Sequence, residues 1–196
     1  GVGKYPIISL TPMKNPTIDT VSFDSYSGGY MIAKHFEEQG YKNFGIISGP
    51  HDAIDAAFRK NGFIDHINEK QDLNLAWEFK GDFSSESGRA AFADYKNQNI
   101  PNLAIFGCND HTCFGFMKSA LEAKYKIPED FIIAGFDNLS FCDNFTPELT
   151  SVATNFDVLG KRAIRTIENM VNDSNEIIRQ FSMVPVEIII RASTQN

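Results

Sequence analysis

Several short apolar runs in this chain end on residues that can carry charge or hydrogen-bond: His51 and Asp52, Asp82 and Phe83, Asn109 and Asp110, then Asp137 and Asn138. Carboxylates and amides of this kind read hydroxyl groups, and an aromatic ring beside them offers a flat face for stacking. Taken singly, an Asp or Asn after a strand caps the next helix or forms a turn. Four such positions on one edge of one sheet point instead to a small-molecule site, because open α/β sheets bind ligands where their strands stop and the loops diverge. Arg59 falls two turns into the helix expected after residues 43–50, where an Arg is ordinarily solvated, but its planar fork suits a carboxylate or a pair of hydroxyls if it points into the crevice. Phe83, next to Gly81 and Asp82, is expected to stand exposed in its loop, which suits stacking on a ligand, with filling of the core as the alternative.

Other chemistries find no constellation. Residues 1–4 (GVGK) imitate the end of a phosphate-binding loop, but Tyr5 stands where Ser or Thr is required and no strand precedes it. His35, His51, His66 and His111 show no HExxH or HxxxH pairing, and Cys108, Cys113 and Cys142 show no CxxC spacing, so neither a metal site nor a disulfide framework is expected. There is no GxSxG elbow, and no cysteine has a recognisable partner histidine. No catalytic residue and no cofactor is therefore expected.

The elements that must position the polar residues can be read from periodicity. Residues 100–110 (IPNLAIFGCND) and 127–138 (IPEDFIIAGFDN) repeat one design, in which Pro opens, a short apolar run follows, and Asn or Asp closes. Apolar runs of this length separated by a helical stretch read as buried parallel strands, covered by helices on both faces. Residues 6–10, 18–23, 43–50 and 149–154 read as further strands, 75–81 as a strand nearer the sheet edge with Trp77 in the core, and 184–191 as a closing strand. Helices are expected from Asp24 or Ser25 to Gln39, ended by Gly40, and then over about 52–70, 84–97, 109–124 and 156–171. Successive strand–helix units give an α/β fold with a doubly wound parallel sheet. The polar stretch 172–176 is the best candidate for a hinge or surface loop.

Composition excludes some partners. The 196 residues are 42% hydrophobic, enough for a packed core, and their formal net charge of −7 includes no basic stripe for nucleic acid or membrane surfaces. Any DNA contact must come from elsewhere. No apolar run reaches membrane-spanning length, and an odd set of unpaired cysteines fits the reducing cytoplasm.

In order, nine segments resemble the effector-binding core of the lactose/galactose repressor (LacI/GalR) family of bacterial transcription regulators. They are VSFD (21–24) with Gly28, Gly29 and AKHF (33–36), ISGP (47–50), RKNGF (59–63), GDFSSESG (81–88), AIFGCND (104–110), IPEDFIIAGFDN (127–138), FTPELTSV (145–152), LGKRA (159–163) and VEIIIRAST (186–194). The resemblance implies a type I periplasmic-binding-protein-like fold of two doubly wound lobes joined by three crossovers, with the effector between them. Residues 24–152 and 183–196 would build a complete C-terminal lobe, and residues 1–23 and 153–182 the part of the N-terminal lobe that is present.

Position by position, the resemblance makes Phe83 the aromatic that stacks on the effector, Arg59 the arginine that grips it, Asn109 and Asp137 the polar pair that reads hydroxyls, and Asp55 a further residue that often faces it. Thr11 stands where the family usually has Asp, and Ala53 where some members have a polar side chain. A saccharide effector, a homodimer and DNA binding through an N-terminal helix-turn-helix outside this sequence are also implied. The alternative on the same fold is a periplasmic sugar-binding protein serving transport.

Overall fold

The computed structural model describes residues 5–15, 17–98, 100–172 and 180–195. After Asn172, the expected hinge lies outside the described residues, as does the 1–4 segment. The chain divides into two compact units, Gly1–Asp24 with Thr154–Val186, and Ser25–Ala153 with Glu187–Asn196. It passes from one to the other after Asp24, Ala153 and Val186.

The smaller unit has a three-stranded parallel sheet in the order β1 (Ile8–Ser9), β2 (Asp19–Phe23), β8 (Phe181–Val184). Helix α5 (Phe156–Asn172) packs on it through Leu159, which joins Val21 and Val184 in a small core. Phe156, Ile164, Val171, Phe181 and Met183 stay exposed.

The larger unit carries a six-stranded sheet in the order β4 (Asn74–Lys80), β3 (Asn43–Ser48), β5 (Leu103–Gly107), β6 (Phe131–Asp137), β7 (Thr150–Ala153), β9 (Glu187–Ile189). All neighbours run parallel except β9, which is antiparallel to β7. Strands β5 and β6 are buried almost throughout, as their continuous apolar runs require, whereas β4 lies at the edge and shows mixed burial. Helices α1 (Ser25–Glu38) and α2 (Ile54–Asn68) pair with each other, as do α3 (Ser85–Gln98) and α4 (Asp110–Glu122).

Side chains alternate across the strands, so two aromatic layers form. Leu103, Ile105, Phe131 and Ile133 meet Phe92, Tyr95 and Phe116 of α3 and α4. Phe44 and Phe106 meet Phe36 and Phe63 of α1 and α2, with ring centroids 5.1 to 6.1 Å apart. Trp77 is in the core as expected, its indole N–H donating to Asp94 at 2.8 Å. Both helix pairs cross at backbone contact. A Cβ on Gly29 would stand 1.9 Å from the Arg59 carbonyl oxygen, one on Gly62 1.9 Å from that of Tyr26, and Gly88 and Gly115 repeat the arrangement between α3 and α4.

Residues 184–191, expected as one closing strand, form parts of two strands in different sheets: β8 beside β2 and β9 beside β7. Pro185 has no N–H to give to a ladder, so it separates the two. Residues 183–186, expected with the C-terminal lobe, accordingly fall in the smaller unit with Asp24, whereas Ala153 falls in the larger one.

Candidate functional site

Parallel register brings the carboxyl ends of β3, β4, β5 and β6 to one edge of the larger sheet. The loops that leave this edge differ in what they do with their polar residues. After β5 a helix starts at once. Asn109 is extended (φ −154°, ψ 166°) and caps α4, its Oδ1 accepting from the Thr112 N–H at 3.0 Å while its Nδ2 donates to the Phe83 carbonyl at 2.9 Å. One amide N–H and one lone pair remain for anything else.

After β6 no α-helix starts; a single 3-10 turn, Ser140–Asp143, follows instead. The chain turns through Asp137 and Asn138, both at positive φ (109° and 53°), a conformation that Asp and Asn tolerate better than most side chains. The Asn138 N–H donates to Ser151 Oγ at 3.0 Å, and its Oδ1 accepts from Arg191 at 2.8 Å. Asp137 is thereby held against the middle of α2.

Arg59 arrives from α2, whose crossing with α1 fixes its position along the edge. Its Nη1 donates to the Cys108 carbonyl at 2.6 Å, and its Nη2 lies 3.3 Å from Asp137 Oδ1. The guanidinium carbon is 3.9 Å from the centroid of the Phe136 ring, close enough for cation–π attraction, and 5.6 Å from that of Phe83. The pair is partly buried, with 11% of the Arg59 side chain and 27% of the Asp137 side chain exposed. Burial pushes the Asp137 carboxyl up to about 6, against the pull of Arg59. A carboxylate so poised beside a guanidinium can accept from one hydroxyl of a ligand while the guanidinium donates to its neighbour.

Phe83 is half-buried rather than exposed. Its backbone is left-handed (φ 71°), and its ring lies so close to Gly49 that a Cβ there would stand 2.3 Å from the ring edge. Asp82 is used in its own turn, accepting from the Ser84 hydroxyl at 2.6 Å and from the Ser84 N–H at 2.9 Å, and these bonds hold its carboxyl below the usual range. His51 and Asp52 are exposed, and His51 lines a cavity of about 800 Å³ with Lys60, Glu78 and Lys80.

Arg59, Phe83, Asn109 and Asp137 are thus linked by contacts or hydrogen bonds. Asp55 shares their side of α2, four residues before Arg59, but its carboxylate takes a hydrogen bond from Ser25 Oγ at 3.3 Å. Three groups that build this arrangement are not marked by residue type: the Phe136 ring under Arg59, the Cys108 carbonyl, and Ser151. Nothing in the local pattern marks them, since their contacts depend on where α2 and β7 lie. Cysteine chemistry is disfavoured here, because burial pushes the Cys108 thiol up to about 12 and Cys113 well above its usual range. Among the described residues, no group of three His, Cys, Asp or Glu could hold a metal ion, and no helix is long and apolar enough to cross a membrane.

Comparison with known proteins gives the arrangement a context. The model of the periplasmic binding protein-like domain family matches residues 33–194. The HTH-type transcriptional repressor PurR of Pasteurella multocida (strain Pm70) is 31% identical over 183 residues, which are 93% of this chain and 54% of that protein. PurR of Haemophilus influenzae (strain Rd) is 29% identical over 194 residues, 97% of this chain and 58% of that protein. The chain therefore spans little more than half the length of these relatives. The crystal structure of a LacI family transcriptional regulator from Enterococcus faecium with bound ribose superposes with a TM-score of 0.84 at 25% identity, covering 96% of this chain and 70% of that one. With its family model matched over most of its length and repressors of one kind among its relatives, this chain belongs to the periplasmic binding protein-like domain family, as an effector-binding core of the LacI/GalR type.

Proposed function

We propose that this chain is the effector-sensing part of a bacterial transcription regulator, and that it binds a small polar molecule, a saccharide, at the carboxyl edge of its larger sheet. The observation that carries this reading is the Arg59–Asp137 pair, set over Phe136 with Phe83 nearby. Arg59 and Asp137 orient hydroxyls, Phe83 supplies stacking area, and the remaining N–H of Asn109 adds a donor. Asp55 is a further contact on the same side of α2. The ribose bound by the Enterococcus faecium regulator supports the saccharide class.

No nucleophile–base pair accompanies these groups, so the role is binding, not catalysis. The named relatives are transcriptional repressors, which favours regulation in the cytoplasm over periplasmic transport. With a net charge of −7 the chain itself is a poor partner for phosphates, so in this reading DNA is contacted by a helix-turn-helix outside this sequence, in a homodimer like the family's. Effector binding alters DNA affinity only to the extent that the effector binds the two states of the regulator unequally, typically by about 1 to 3 kcal/mol.

Calorimetry of the intact regulator against a panel of pentoses, hexoses and nucleobases tests the proposal. One saccharide is expected to bind, and to bind far more weakly to Arg59→Ala and Asp137→Ala. Wild-type affinity in both variants would overturn the site assignment, and binding of a nucleobase alone would overturn the saccharide class.

A further inference from the structure

Asp110 is the first residue of α4, directly after the cap Asn109, and it is 0% exposed. Its carboxylate is surrounded by donors from the segments that follow β6. Oδ2 accepts from the Leu139 N–H at 2.8 Å and from the Cys142 thiol at 3.2 Å, and Oδ1 accepts from Ser151 Oγ at 2.6 Å. Ser151 Oγ in turn accepts from the Asn138 N–H. Room for the carboxylate exists only because position 135 in β6 is glycine, where a Cβ would stand 2.3 Å from Asp110 Oδ1. One buried side chain on α4 therefore ties down both residues that follow Asp137.

From this geometry we infer that Asp110 is a positioning residue for Asp137: it fastens the 138–142 turn and β7 so that Asp137 stays at positive φ facing Arg59. The functional meaning rests on the reading of Asp137 as an effector-facing carboxylate, whereas the geometry does not. The charged and titratable groups that face Asp137 are Arg59 from α2 and Asp110 and His111 from α4. Those that face Asp110 are Arg59, Asp137 and the Cys113 and Cys142 thiols. Arg59 favours the ionised form of Asp137 and Asp110 opposes it. Replacing Asp110 by Asn keeps size and one acceptor oxygen, removes the like charge, and turns a donor toward Ser151.

Two readouts on the chain as it stands separate positioning from mere packing. Carbon-detected NMR follows the carboxyl titration of Asp137, and amide hydrogen exchange follows Asn138 and Leu139, in wild type and Asp110→Asn. The expected result is a fall of the Asp137 midpoint by about 0.5 to 1 pH unit, as loss of a nearby like charge requires, with exchange at both amides about tenfold faster. If either quantity stays at its wild-type value, the inference fails. Should Asp110→Asn not fold, Ser151→Ala removes the Asn138–Ser151–Asp110 link and leaves the Leu139 N–H and the Cys142 thiol on Asp110. Faster exchange at Leu139, whose own acceptor Asp110 is retained, then supports the inference, and unchanged exchange there overturns it. Neither readout uses an effector, so a regulator that binds no saccharide would fail the functional reading without touching this result.

Discussion

Strands β5 and β6 lead into the same two residue types in opposite order, Asn109-Asp110 and Asp137-Asn138, and the order decides what each pair does. After β5 a helix begins immediately. The amide is then in the cap position, and the carboxylate is turned inward among three donors. After β6 the chain turns at positive φ, which holds the carboxylate at the edge beside Arg59 and ties the amide to Arg191. One carboxylate is buried among donors of the fold and the other is partly exposed beside a guanidinium. A strand-end Asp is therefore informative only together with what the next few residues do.

Substitutions at the two ends should fail in different measurements. The largest effect is expected from Asp110→Ala, which strands the Leu139, Cys142 and Ser151 donors. Urea unfolding should show a loss of about 3 to 5 kcal/mol, given about 1 to 3 kcal/mol for each buried polar group left unpaired and partial relaxation of the loop. Asp137→Ala should cost about 2 to 5 kcal/mol of effector affinity, because it strands a charged partner, and less stability than Asp110→Ala. Equal stability losses at the two positions would erase the distinction between the strand ends.

The same comparison has a pH arm. The Asp137 carboxyl lies at about 6 in the folded chain against an ordinary 3.8. A raised folded value means that the folded state binds the proton more tightly than the unfolded one. The contribution of this group to stability is thus full below about 4 and is lost as pH rises through about 6. Asp137→Asn should remove that part of the decline, measured as urea midpoints between about pH 4 and 7. A wild-type slope in this variant would show that the carboxyl is not perturbed.

Smaller effects sharpen the comparison. Phe83→Ala should weaken effector binding by about 1 to 3 kcal/mol, the value of a buried aromatic surface, and calorimetry reads it directly. Asn109→Ala should lower stability by about 1 kcal/mol as α4 loses its cap, with the Phe83 carbonyl losing its donor at the same time. A stability loss at Phe83 larger than that at Asn109 would indicate that the ring serves the core more than the edge.

Much of the fold is legible in the sequence, because hydrophobic periodicity is a local property. The strands and helices of the larger unit, the cap at Asn109, the end of α1 at Gly40 (φ 84°) and the edge position of β4 all follow from residue patterns a few positions long. What is not legible depends on elements distant in sequence. Phe136 sits in an apolar run that marks a core strand, and its contact with Arg59 exists only because α2 crosses above it. Phe83 looks exposed from its loop, yet glycine at position 49 lets its ring settle onto the backbone. Asp55 shares a side of α2 with Arg59 but is engaged by Ser25, a residue of α1. Pro185 divides an apolar run that periodicity alone reads as one strand.

The most direct test of the central claim is a crystal structure of the intact regulator with the saccharide found by calorimetry. The expected result places ligand hydroxyl oxygens within about 3 Å of both the Arg59 guanidinium and the Asp137 carboxylate, with a ligand face on the Phe83 ring. A saccharide seated elsewhere, for example in the cavity beside Lys60 and Lys80 with the Arg59–Asp137 pair untouched, would contradict it.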